Sequence, residues 1–200
     1  MARIANHTSE ETKKQIKDAF LALYENYPIE KISIRLLSEE AGMNRGTFYY
    51  YYADIYALLE EIEDDMIKKW SHILPQMITA FLLGESQKMT GFVEDFYQEN
   101  YRYVRLFLAV KPNQRLVNYA QNCARKAVLA FFGKSEEELS MEEQCMLTYT
   151  TYAQFGTICW WLLHTEEMSL EEMMRLLQKL STNGPFTVLK ESLGIQQTVQ

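Results

Sequence analysis

No run of about 18 uncharged apolar residues occurs in the 200-residue chain, so no membrane-spanning helix is expected. The opening Met-Ala-Arg-Ile-Ala-Asn-His-Thr has no apolar signal core, and the protein is expected to stay in the cytoplasm. Cysteine is scarce. Cys123, Cys145 and Cys159 stand in apolar helical contexts without the spacing of a metal site, which points to reduced, buried thiols. His72 and His164 also lack partners at ligand spacing, so no metal is expected. Strand alternation, a glycine-rich phosphate loop and internal repeats do not stand out. Neither do paired carboxylates in a plausible pocket or a nucleophile beside a base, which argues against an enzyme and leaves no cofactor to expect.

Positive charge is in short supply as well. The chain carries a net −7, but unevenly. Residues 1–53 hold seven of the 20 Lys/Arg and seven of the 27 Asp/Glu, so this part is neutral and residues 54–200 carry the whole deficit. An acidic body repels nucleic acid, and any phosphate contact falls to Lys13, Lys14, Lys17, Lys31, Arg35 and Arg45, with Arg3 near the start. That thin basic surface predicts weak nonspecific affinity and a modest salt dependence.

What the sequence does have is helix punctuation. Thr8-Ser9-Glu10-Glu11 is a capping box, and Ile16, Phe20, Leu23 and Tyr27 follow at helical spacing, predicting a helix over about 9–27 that Pro28 ends. Two short helices follow, 34–41 and 45–51, joined by Ala41-Gly42-Met43-Asn44. Gly42 suits the left-handed position after a helix, and Asn44 suits the N-cap of the next. Leu36, Leu37 and Ala41 form a buried face, with Phe48 and Tyr52 packing inward from the second helix. Arg45, Thr47, Tyr50 and Tyr51 then point elsewhere. This is the layout of a helix-turn-helix, whose second helix enters the DNA major groove.

The segment Ala-Gly-Met-Asn-Arg-Gly-Thr-Phe-Tyr-Tyr-Tyr-Tyr, with Lys31-Ile32-Ser33-Ile34-Arg35 before it, resembles the signature of the tetracycline-repressor (TetR/AcrR) family of bacterial transcription regulators. The resemblance covers roughly residues 8–70 and is strong over 33–52. It implies an all-α protein: a three-helix helix-turn-helix head over residues 1–53 and a helical ligand-binding and dimerisation body over 54–200, with helix 54–74 as connector. It implies a homodimer on a palindromic operator in double-stranded DNA, responsive to a small effector. Repression is the commoner role in the family.

The expected DNA contacts are Ser33, Asn44, Arg45, Thr47, Tyr49, Tyr50 and Tyr51. Arg45 can reach a guanine edge or a phosphate, and Thr47 a thymine methyl or a phosphate. Tyr50 and Tyr51 can donate to phosphates, Tyr49 is partly packed, and the Ser33 hydroxyl can meet a phosphate. Phe48 and Tyr52 are read instead as cover for the head's small core. The chain departs from the family at Ile55, where a lysine commonly contacts phosphate. That departure, with the neutral head, favours a second reading: a regulator-shaped protein that has lost DNA binding and acts as a coactivator subunit through a protein partner.

In the body, Asp54 caps a helix that runs to about residue 72 or 74, where Pro75 breaks or kinks it. Residues 77–83 form an apolar segment ending at Gly84. A helix over about 88–109 carries Phe92, Phe96, Tyr97, Tyr103, Leu106 and Phe107. Pro112 sits in the first turn of the next helix, which ends near Phe132. Capping boxes at Ser135, Ser140 and Ser169 open a short piece, a helix to about His164 and a last helix to about Leu180.

The 141–164 helix has two apolar stripes and so needs cover on two sides. One holds Cys145, Tyr149, Tyr152, Gly156, Cys159 and Leu163. The other holds Leu147, Thr151, Gln154, Ile158, Trp161 and Leu162. Leu147, Thr151, Gln154, Ile158 and Trp161, with Met173 and Leu177 from the last helix, are assigned to a dimer interface. The alternative is that one stripe packs on 186–193. A hydrophobic or aromatic effector is assigned to Trp70, Phe96, Tyr103, Phe107, Tyr152 and Trp160, residues that serve equally well as core.

Overall fold

The computed structural model describes residues 8–85, 91, 100–185 and 189. Among these the fold is all-helical, and the chain divides into two compact units, Met1–Lys68 and Lys69–Gln200. In the first unit α1 (Ser9–Asn26) opens on the expected capping box: the Thr8 hydroxyl accepts the Glu11 amide, and the Glu11 carboxylate accepts the Thr8 amide at 2.7 Å. Its apolar repeat buries Ile16, Ala19, Phe20 and Leu23. A 3-10 turn (Ile29–Lys31) leads to α2 (Ile34–Glu40) and α3 (Arg45–Tyr51). Leu37, Ala41, Phe48 and Tyr52 are buried, as the pattern requires, but Leu36 is only half-buried.

The turn between α2 and α3 is tightly specified. Gly42 takes φ +64°, which a side chain would strain. The Met43 amide donates to the Ser38 carbonyl at 2.9 Å and the Gly42 amide to the Glu39 carbonyl at 3.2 Å, the paired bonds of a Schellman motif. From α1, the Gln15 side-chain amide donates to the Ala41 carbonyl at 2.6 Å, so a further end group of α2 is satisfied. Helix α1 packs on α2, and α2 on α3.

Helix α4 (Ile55–Leu82) departs from expectation, because it passes through Pro75 rather than ending there. Proline removes one backbone donor, but side chains attend the nearby carbonyls. Gln76 Nε2 donates to the His72 carbonyl at 2.7 Å and Thr79 Oγ1 to the Pro75 carbonyl at 2.8 Å. The apolar segment from 77 therefore belongs to this helix, and Gly84, at φ +71°, follows its end. Asp54 caps the start, accepting the Tyr56 and Ala57 amides at 2.9 Å each.

In the second unit, the described part of α5 (100–105) widens into a π-helical turn, Leu106–Val110, with Leu106, Phe107 and Leu108 buried. Helix α6 (Gln114–Phe132) begins two residues after Pro112, which lies outside it, because Asn113 is its N-cap and accepts the Leu116 amide at 3.1 Å. Helix α7 (Met141–Trp161) stops short of His164, and α8 (Leu170–Asn183) runs three residues past Leu180 to Gly184. Both open on capping boxes, at Ser140 and Ser169. Helix α6 packs on α7, and α7 on α8.

The thiols only partly follow expectation. Cys123 and Cys159 are half-buried, and burial pushes the Cys159 thiol up to about 11, but Cys145 is exposed. Phe92, Phe96, Tyr97 and Arg3 lie outside the described residues.

Candidate nucleic-acid interface and body cavity

Helix α3 presents its residues as a short, rigidly started rod. Asn44 Oδ1 accepts the Thr47 amide at 2.9 Å and the Thr47 hydroxyl at 3.3 Å, so cap and side chain hold each other. Ser33 caps α2 in the same way, accepting the Leu36 amide at 3.2 Å and keeping its own hydroxyl proton to donate. Ser33, Asn44, Arg45, Tyr49 and Tyr50 are exposed, while Thr47 and Tyr51 are half-buried. Tyr50 is 81% exposed, more than any other large apolar side chain among the described residues. The Tyr50 and Tyr51 rings meet edge to face at 5.0 Å, and Phe48 is buried beneath. An exposed guanidinium and three phenols on one seven-residue helix can donate to phosphates and base edges without disturbing the core.

Two of the expected phosphate contacts are otherwise engaged. Lys13 Nζ lies 3.1 Å from Glu61 Oε2, and Lys17 Nζ lies 2.7 Å from Glu61 Oε1 and also pairs with Asp65. The Tyr52 hydroxyl donates to Glu61 Oε1 at 3.1 Å, and Lys13 lies over the Tyr52 ring. Partial burial works against the charge on Glu61, but the bonds from Lys17 and Lys13 outweigh it and lower its pKa. Burial likewise opposes the charge on Lys17, and the bonds to Asp65 and Glu61 outweigh it, so that its pKa rises. Burial and the nearby Glu61 charge push the Tyr52 phenol well above its ordinary range, so it stays protonated as a donor. The cluster ties α1 and the end of α3 to the first turns of α4. Lys14, Lys31, Arg35 and Arg45 remain exposed, and Arg35 lies 3.6 Å from Glu39. Ile55 is buried, so its site faces the head's core.

The second unit holds a half-open cavity of about 770 Å³, walled by residues 70–82 of α4 together with α6, α7 and α8, with Val104 and Leu108. Of the residues assigned to an effector, Trp70 lines it. Tyr103 and Phe107 do not, Phe107 being fully buried in packing. Tyr152 and Trp160 are 57% and 55% exposed and do not line it either. Trp160 stacks on His164 at 4.0 Å. Phe96 lies outside the described residues.

The residues assigned to a dimer face all turn inward. Leu147, Thr151, Gln154, Ile158, Trp161, Met173 and Leu177 line the cavity of a single chain. The physical reason is the packing of α7 on α6 and α8, which consumes that stripe. The opposite stripe is left outward: Cys145, Tyr149, Tyr152, Gly156 and Leu163 are exposed, with Trp160 beside them.

A tripartite head with a capped, exposed recognition helix defines a helix-turn-helix protein. Residues 16–62 match the description "Bacterial regulatory proteins, tetR family", and residues 85–183 match "Transcriptional regulator C-terminal region". The chain belongs to the tetR family of bacterial transcriptional regulators. It is also similar to YxbF of Bacillus subtilis (strain 168), described as an uncharacterized HTH-type transcriptional regulator, with 35% identity over 57 residues. That match spans 28% of this chain and 15% of YxbF. No described helix is long and apolar enough to cross a membrane.

Proposed function

We propose that this chain is a ligand-responsive repressor, cytoplasmic and non-enzymatic, that binds a palindromic operator as a homodimer. The observation that carries the reading is α3: Arg45, Tyr49 and Tyr50 are exposed on a helix whose position is fixed by Asn44, the Gly42 turn and the Glu61 cluster. Arg45 and Thr47 read base edges, and Tyr50, Tyr51 and Ser33 hold phosphates. One such helix covers too few base pairs to be selective, and a two-fold dimer reading two half-sites about 34–36 Å apart, or a multiple of that, removes the difficulty.

We place the dimer face on the outward stripe of α7. Tyr149, Tyr152 and Trp160 offer three large rings, and Gly156 supports the assignment independently. Among the described residues a Cβ at Gly156 would meet nothing within 4 Å, so they give no reason for a helix-weakening glycine there. A partner helix approaching closely does. The cavity is the effector site, and its occupant acts through the difference in its affinity for DNA-competent and DNA-incompetent arrangements.

The test is anisotropy with DNA from upstream of the protein's own gene, at two salt concentrations, for the wild type and Arg45→Ala with Tyr50→Ala. Unchanged binding in the double variant removes the site assignment. The engagement of Lys13 and Lys17 by carboxylates supports one alternative, a protein-partnered coactivator without DNA binding. Failure to enrich any sequence from a random DNA pool would favour it.

A further inference from the structure

Among the described residues that line the body cavity, three buried side chains carry a hydrogen-bond donor: Trp70, Thr151 and Trp161. Two of these donors are spent within the chain. The Thr151 hydroxyl donates to the Leu147 carbonyl at 2.8 Å. Trp161 Nε1 donates to the Met168 carbonyl at 2.8 Å. Trp70 is the exception. It is 2% exposed, and its Nε1 is closed to solvent and has no hydrogen-bond partner among the described residues. The Tyr119 ring lies 6.5 Å from the Trp70 ring, but its hydroxyl bonds to Ser71.

An indole N–H withdrawn from water without an acceptor is destabilising, and buried tryptophans ordinarily find one. Phenylalanine would fill much of the same apolar space without that cost. Packing therefore does not account for an indole at position 70, whereas a guest in the cavity does. Because an indole N–H can only donate, the guest must bring an acceptor, and a group that only donates gains nothing there. The remaining wall is mostly apolar, and a volume of about 770 Å³ suits a small organic molecule. Met77, Met146, Met173 and Met174 line it with unbranched, adaptable side chains, which can give way so that a guest atom reaches Nε1.

We propose that the cavity takes a largely apolar molecule bearing a carbonyl oxygen, which accepts the hydrogen bond of Trp70 Nε1. This deepens the effector reading above and rests on it. The ketone 2-acetylnaphthalene and the olefin 2-isopropenylnaphthalene are close in shape and differ in C=O against C=CH₂. Equilibrium dialysis of both against the full-length wild type and Trp70→Phe completes a cycle. The differing hydrophobicity of the probes and the volume lost from the ring both cancel in it. Losing the indole should weaken the ketone at least about fivefold more than the olefin. Trp161→Phe removes a donor already spent on Met168 and should change the two alike, within about twofold. A second readout needs no change at Trp70. The chain has three tryptophans, so ¹⁵N-labelled protein gives three indole N–H resonances, and that of Trp70 is the one retained in both Trp160→Phe and Trp161→Phe. In the wild type the ketone should move this resonance farther downfield than the olefin does. Equal losses of the two probes in Trp70→Phe, no ketone-specific shift of the Trp70 resonance, or failure of the ketone to bind the wild type overturns the proposal. If Trp70→Phe does not fold, the resonance alone decides. Ketone binding that shows the Trp70 shift but leaves the DNA complex intact keeps this ligand class and removes the ligand-responsive reading instead.

Discussion

Replacing Gly156 with leucine should stabilise an isolated subunit and weaken the dimer, two effects of opposite sign from one substitution. Among the described residues the position is exposed, and a Cβ there meets nothing within 4 Å. Losing a mid-helix glycine is worth about 0.5–1 kcal/mol to α7 on its own. Across the two-fold axis of the proposed dimer the same side chain would appear twice in a closely packed interface. Overpacking costs about 1–3 kcal/mol per copy, so the dimer should lose about 2–6 kcal/mol, at least roughly 30-fold in dissociation constant. Sedimentation velocity across a concentration series measures that constant, and thermal unfolding of the diluted protein measures the subunit. Leu147→Ala is the internal control. It faces the cavity, so it should cost the subunit about 2–3 kcal/mol and leave the dimer constant unchanged. A Gly156→Leu dimer as tight as the wild type refutes the placement of the interface. A loss of stability independent of protein concentration refutes it too, and assigns the face to cover from within the same chain.

Other expectations concern the head. Arg45→Ala with Tyr50→Ala should lower operator affinity by at least about tenfold, one good contact being worth about 1–3 kcal/mol, with an unchanged melting temperature because both side chains are exposed; anisotropy and calorimetry read the two. Asn44→Ala should destabilise the head by about 1 kcal/mol, and Asn44→Asp should recover most of it in urea unfolding. Glu61→Gln should cost about 1–2 kcal/mol after allowance for its partial exposure, because Lys13, Lys17 and Tyr52 share its carboxylate. Its lowered pKa means that its contribution is present above about 4.5 and fades as the pH falls through the lower folded value, so urea midpoints of wild type and variant should converge in acid.

The head was legible because its signals are local. Asn44, Gly42 and the capping box at Thr8 each act within four residues, and the structure keeps them all. Pro75 misled because a proline's cost is local, whereas the continuation of α4 is supported by Gln76, Thr79 and the packing of Met77 and Phe81 on Ala80. The two stripes of α7 were visible, but both are apolar, so periodicity alone could not say which one α6 and α8 would cover. The cavity was not legible, since it arises from the spacing of four helices and belongs to no one of them. The engagement of Lys13 and Lys17 was likewise hidden, because Glu61 and Asp65 lie 48 residues along the chain from them.

The carboxylates that hold Lys13 and Lys17 also bear on how a cell would use the protein. Affinity for random chromosomal DNA grows with each cation available to displace condensed counterions. Withholding two of them from every head lowers the fraction of molecules idling on irrelevant sequence. The same counterion release would be lost from the proposed operator complex, so base contacts would make up a larger share of its affinity.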